Sequence, residues 1–241
     1  MQNQSVVTSI TREPALVAVP YLKLGRSGPV ELLSDGQRER LVQRATLLEF
    51  PARQIVYRAG APADSVFVIA EGVVKSYRDL MSGRRRIAAF LFARDLFGLA
   101  EAGQYVNTVQ TITPVRAYAI DVTALKELFQ SDPAIEMGFL CKVVHVLREA
   151  QHHNIIVGRR DAAGRFAMLL RLLEEQGLRS GRKNIALPMS RSDIANYLGL
   201  SLEAVSRASR RLERQGIVEF VGRHEAHILD RHRFEALAAA A

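Results

Sequence analysis

Three observations predict an α+β chain: β-branched and aromatic runs between Gln54 and Ile120, a helical pattern from Asp132 to Ile156, and two short capped helices followed by two strands near the end. The expected order is an N-terminal β-roll, a long helix and a C-terminal winged helix-turn-helix. The expected boundaries are an arm over 1–28, the roll over 29–132, the long helix over 133–158 and the winged helix-turn-helix over 159–241.

The arm shows no sustained periodicity and contains Pro14, Pro20, Gly25 and Gly28. A short helix is expected at about Asp35 to Thr46, because Leu33, Leu41 and Val42 recur near helical spacing and Ser34 or Asp35 can cap the first turn. The runs IVYRAG, SVFVIAEGVVKSYRD, RIAAFLF and TVQTITPVRAYAI then read as strands divided by Gly60, Gly72, Gly83 and Gly98. Ser82-Gly83 has the composition of a tight hairpin turn, leaving Arg84, Arg85 and Arg86 at a solvated strand end.

The long helix opens with Pro133 in an early position. Met137, Leu140, Val144 and Leu147 alternate by three and four and continue into Gln151 and Asn154, the spacing of a coiled-coil seam whose late polar members set register. A buried helix within one chain fits the same period; the reading adopted is a homodimer through 133–158. Gly158-Arg159-Arg160-Asp161 breaks the pattern as a hinge, and Asp161 can cap the helix AAGRFAMLLRLLEEQG, expected to end at Gly177. Ser190 precedes a short helix ending at Leu198-Gly199, Ser201 a second running to Gln215-Gly216, and IVEFVGRHEAHIL forms two strands of a wing around Gly222.

The chain has 241 residues, 48% hydrophobic and 24% charged, enough to bury a sizeable core. No apolar run reaches the roughly 18 residues of a membrane span, and the start lacks a signal-peptide pattern, so a cytoplasmic chain with no membrane partner is expected. Net charge is +8, and from Arg159 to Ala241 the count is 15 basic against 10 acidic residues, 15 − 10 = +5. The excess concentrates where a polyanionic partner, double-stranded DNA, is expected.

If the second helix of the pair enters a major groove, its first turn faces base edges. Glu203 and Arg207 lie four apart on one face, with Ser206 beside them. A carboxylate accepts from cytosine N4, and a guanidinium donates twice to guanine O6 and N7, so these three are the candidate base readers. Ser190, Ser192 and Arg210 are the candidate phosphate contacts, with Arg211 and Arg214 adding positive charge. The plain alternative is a solvated ion pair between Glu203 and Arg207.

The segment MSRSDIANYLGLSLEAVSRASRRLERQGIVEF resembles the helix-turn-helix of CRP/FNR-type bacterial regulators, and Glu203-Ala204-Val205-Ser206-Arg207 looks like the E-x-x-S-R element of the FNR and FixK branches. The resemblance implies a transcription activator that reads TTGA-type inverted repeats and works with RNA polymerase. RQIVYRAGAPADSVFVIAEGVVK is similar to the family's cyclic-nucleotide-binding-like roll, and the helix before GRRDAAGRFAMLL to its dimerisation helix. Together these cover about residues 30 to 230. Members that bind cyclic AMP use a Gly-Glu element and a later Arg-Ser pair. Here Phe97-Gly98-Leu99-Ala100 and Tyr105-Val106-Asn107-Thr108 stand in those places, with Glu101 displaced, which argues against a cyclic nucleotide.

The single cysteine, Cys141, cannot hold an iron-sulfur cluster by itself, so no cofactor is expected. Cys141, His145 and His152 lie within roughly a 40° arc of an ideal helix. A metal, haem or redox signal through them is weighed against a buried structural cysteine beside solvated histidines, and the second reading is adopted. Three alternatives stand beside the DNA regulator. They are gating by an uncharged ligand or a redox signal, control by the amount of an always-competent protein, and an enzyme using Cys141 and His145 as nucleophile and base. The enzyme lacks a third orienting group, and no enzyme is expected.

Overall fold

The computed structural model describes residues 33–239 apart from 160, 180, 182 and 183; the arm expected over 1–28 lies outside the described residues. The described residues form two compact units, 33–76 with 90–149 and 77–89 with 150–239.

The first unit opens with α1 (Asp35–Gln43). Ser34 closes a capping box, its hydroxyl accepting from the Gln37 amide at 3.4 Å while the Gln37 side chain accepts from the Ser34 amide at 2.8 Å. The helix stops three residues before Thr46, because β1 (Ala45–Phe50) is already strand. Ala45 and Thr46 pair antiparallel with Ile120 and Ala119, and cross-strand pairing of the β-branched and leucine residues overrides the helical spacing read from sequence.

The remaining strands of the roll are β2 (Ile55–Tyr57), β3 (Ser65–Glu71), β4 (Val74–Asp79), β5 (Arg85–Leu91), β6 (Leu96–Phe97), β7 (Ala100–Glu101), β8 (Gln104–Tyr105), β9 (Thr108–Thr111) and β10 (Val115–Asp121). They form two four-stranded sheets, β1-β10-β3-β6 and β2-β9-β4-β5, and a β7-β8 pair. At Gly72, where φ is 95°, a Cβ would run into the Pro114 carbonyl, so the β3–β4 turn requires glycine. The β4–β5 hairpin turns at Gly83, with the Leu80 amide bonding the Arg84 carbonyl at 2.8 Å. Arg85 folds back onto Asp79 at 2.7 Å and over the Tyr77 ring, whereas Arg84 and Arg86 remain exposed.

Inside the roll Tyr57 stacks on Tyr105 with centroids 3.7 Å apart, and Phe67 on Phe97 at 4.9 Å. Burial, then the neighbouring Tyr105, push the Tyr57 hydroxyl above its ordinary range. Asp121 caps α2 (Val122–Ser131), accepting from the Thr123 amide at 2.7 Å. This helix lies in a stretch expected only as part of the roll, although Asp121 and the spacing of Leu125 and Leu128 were a legible helix signal. Then α3 (Pro133–Gly158) starts and stops where the pattern placed it.

In the second unit α4 (Ala162–Arg179) runs two residues past Gly177. It buries Phe166, Leu169, Leu170 and Leu173 along one face, each worth roughly 1.5–3 kcal/mol when removed from water. After it come β11 (Ile185–Ala186), α5 (Arg191–Leu198), α6 (Leu202–Arg214), β12 (Val218–Val221), β13 (Glu225–Ile228) and α7 (Arg231–Ala239). The expected two-stranded wing is a three-stranded sheet, β11-β13-β12, and α7 closes the unit by burying Phe234 and Ala238 against α4.

Candidate nucleic-acid interface

Each end of the helix pair is set by local chemistry. Ser190 caps α5 in a capping box, accepting from the Asp193 amide at 3.0 Å and donating to the Asp193 carboxylate at 2.8 Å. Its hydroxyl is engaged there, while Ser192, in the first turn, is exposed. The C-terminal cap of α5 is Gly199 in the left-handed region, φ 64°, and the Leu200 amide bonds back to the Ala195 carbonyl at 3.0 Å. Ser201 then caps α6 through the Ala204 amide at 3.1 Å.

The two faces of α6 differ in chemistry. Val205, Ala208, Ser209 and Leu212 are buried, while Glu203, Arg207, Arg210, Arg211 and Arg214 are exposed and Ser206 is half-buried. The three expected base readers therefore share the leading turns on the open side, with Arg210 and Arg214 further along it. Backbone hydrogen bonding at the helix start, then Ser201, then the charge of Arg207 hold the Glu203 carboxyl below its usual range, so it is ionised at neutral pH.

Two further arginines of this unit were absent from the expected site. Arg191, the first residue of α5, lies half-buried with its guanidinium 5.2 Å from the Phe220 ring and 5.9 Å from Phe166, and burial pushes its pKa below the ordinary value. Arg223 is exposed in the wing turn beside Gly222, whose φ is 64°. The Gly-Arg-His turn was a readable signal for Arg223; the aromatic seat of Arg191 has no local signature.

The hinge before α4 is held by side chains. Asp161 accepts from the Gly164 amide at 2.6 Å, capping α4 as its position predicts, and takes the Arg159 guanidinium at 2.9 Å. Arg159 also donates to the Leu237 carbonyl at 3.1 Å.

The cysteine and histidines of α3 do not form one group. Cys141 is half-buried and His152 exposed, but His145 is buried, 3.7 Å from Asp95 and 3.9 Å from Glu149, which corrects the expectation that both histidines are solvated. The loop carrying Asp95 packs onto α3, and this contact has no local signature. Among the described residues no group of three or more His, Cys, Asp or Glu side chains could hold a metal ion, and no helix is long and apolar enough to cross a membrane.

A capped helix pair whose second member exposes a carboxylate and a line of guanidiniums, followed by a wing with Arg223 in its turn, defines a DNA-binding winged helix-turn-helix protein. Residues 164–237 match the family model of the Crp-like helix-turn-helix domain, and residues 47–132 that of the cyclic nucleotide-binding domain. The chain is 30% identical over 221 residues to the transcriptional activatory protein AadR of Rhodopseudomonas palustris, covering 90% of this chain and 88% of that one. It is 30% identical over 195 residues to the nitrogen fixation regulation protein FixK of Bradyrhizobium diazoefficiens, covering 80% and 82%. The solved structure of FixK2 from Bradyrhizobium japonicum superposes with a TM-score of 0.75 at 33% identity, covering 82% of this chain and 98% of that one. The chain belongs to the CRP/FNR family: it is a DNA-binding transcription regulator, in a family of regulators and not of enzymes.

The roll's residues do not fit the ligand after which its family model is described. Residues 98–108 contain no lysine or arginine to meet a cyclic phosphate. Phe97 and Tyr105 are buried in the aromatic stack, Glu101 is exposed, and the Thr108 hydroxyl accepts from the Ala59 amide at 3.0 Å. An anionic phosphate placed there would lack the strong donors that its desolvation demands.

Proposed function

We propose that two copies pair along α3 and set their α6 helices in successive major grooves about 34 Å apart, reading a TTGA-type inverted repeat. The single observation that carries this reading is α6 itself, with one face packed into the unit and the other presenting Glu203, Ser206, Arg207, Arg210 and Arg214. Glu203, Ser206 and Arg207 read base edges. Arg210 and the exposed first turn of α5 at Ser190 and Ser192 approach phosphates, where helix N-terminal amides favour an anion. Pairing is supported by Met137, Leu140, Val144 and Leu147, which stand 54%, 52%, 46% and 57% exposed on one stripe of α3, an apolar surface that water disfavours and a partner would cover.

The similarity to AadR, a transcriptional activatory protein, favours activation, which brings RNA polymerase in as partner. DNA binding without a cyclic nucleotide is supported by the aromatic filling of the roll, where Tyr57 stacks on Tyr105 and Phe67 on Phe97.

Purified protein without added effector is to be mixed with a randomised duplex library at fixed salt and the retained DNA sequenced. Enrichment of a TTGA-containing inverted repeat is the expected result; no enrichment with or without cell extract would overturn the reading. On the selected site, Arg210→Ala should weaken all sequences alike and lower the slope of log affinity against log salt by about 0.9, as loss of one phosphate contact requires. A sequence-dependent loss would make Arg210 a reader.

A further inference from the structure

The last carbonyls of an α-helix lack partners within the helix and carry its negative end. In α5 they are closed by side chains from two other helices. His153 of α3 stacks its ring on Tyr197, with centroids 4.1 Å apart and planes 14° from parallel, and its Nε2 lies 2.8 Å from the Tyr197 carbonyl oxygen. Arg165 of α4 donates from Nη1 to the Leu198 carbonyl at 2.8 Å and from Nε to the Arg159 carbonyl, in the hinge, at 2.6 Å. The Arg86 guanidinium occupies the space that a Cβ at Gly199 would need. Burial, with the charge of Arg86 adding to it, lowers the His153 pKa against the opposing carbonyl bond, so the ring is neutral at physiological pH and donates through Nε2–H.

We infer that His153 and Arg165 are positioning residues for DNA recognition, clamping the C-terminal end of α5 to the end of α3 and to the hinge. Only Gly199, Leu200 and Ser201 separate that end from α6, so fixing it fixes where Glu203 and Arg207 begin. The inference rests on the DNA reading above and extends it. A dimer reads two half-sites at one spacing only if each recognition helix is held in a set direction, and a loosened joint loses that preorganisation.

The test compares the wild type with His153→Leu, His153→Gln and Arg165→Met. Each is measured on the selected inverted repeat and on the same repeat with one base pair inserted between half-sites, and by amide exchange at residues 199–203 in DNA-free protein. Loss of a hydrogen bond to a charged or buried partner at this joint should erase about tenfold of the preference for native spacing and speed exchange at 199–203 by a similar factor in the Leu and Met variants. Gln, which can donate from its amide near the same point, should restore both. A purely structural role would scale both affinities by the folded fraction and leave their ratio untouched, and an unchanged ratio in folded variants overturns the inference. If the wild type selects no DNA, the DNA reading fails by itself, and unchanged exchange would then also overturn the clamp.

Discussion

Arg207→Ala is expected to weaken binding to the selected site by about 1–3 kcal/mol and to flatten the preference at one guanine of each half-site. Arg207 is exposed on α6, so truncation leaves the core intact and stability should change by no more than about 0.5 kcal/mol. What disappears is a planar pair of donors matched to guanine O6 and N7. Lysine at the same position carries the charge without the fork, so Arg207→Lys should keep the salt slope while losing much of the base preference. Anisotropy titrations on the selected duplex and on its single-base variants, at one stated salt concentration, separate these terms. A uniform loss across all variants would make Arg207 an anchor and remove it from the readers.

The second large effect concerns the α3 stripe. Leu140 and Leu147, each more than half exposed, sit two helical turns apart on it. Covering the half of each side chain that is still open contributes roughly 0.8–1.5 kcal/mol, so four of them across a twofold seam are worth roughly 3–6 kcal/mol. Replacing both by glutamate removes that contribution and brings like charges together. Leu140→Glu combined with Leu147→Glu should therefore sediment as a monomer at micromolar concentration with an unchanged circular dichroism spectrum. Its specific affinity should fall at least about 100-fold, because one half-site contact no longer assists the other. A double variant that still sediments as a dimer would move the interface off α3.

The structure bears out the elements that carry local chemistry. Ser190, Ser201 and Gly199 bracket α5 and α6 because caps and a left-handed residue act over three or four positions, and α3 follows from the three-and-four spacing of Met137, Leu140, Val144 and Leu147 carried on by Gln151 and Asn154. β1 was hidden because ATLLEF suits either structure and is decided by its pairing with β10. A two-residue strand such as β11 has no period at all; it exists through its bonds to β13. α7 was missed because its inward face consists of little more than Phe234 and Ala238, and it gains stability by docking on α4.

The same division runs through the candidate site. The sequence by itself determined the family, the identity of α6 and the residues on its open face, since side chains three or four apart on a capped helix are placed by helical geometry alone. Only the tertiary structure decided how that helix is held. His153 and Tyr197 are 44 positions apart and Arg165 and Leu198 are 33 apart, and Arg191 finds its aromatic seat on Phe166 and Phe220 from separate elements. Contacts over such separations leave no period or spacing in the chain. They are selected when whole helices and strands pack, because only then are the helix-end carbonyls and ring faces that need a partner brought within reach of one.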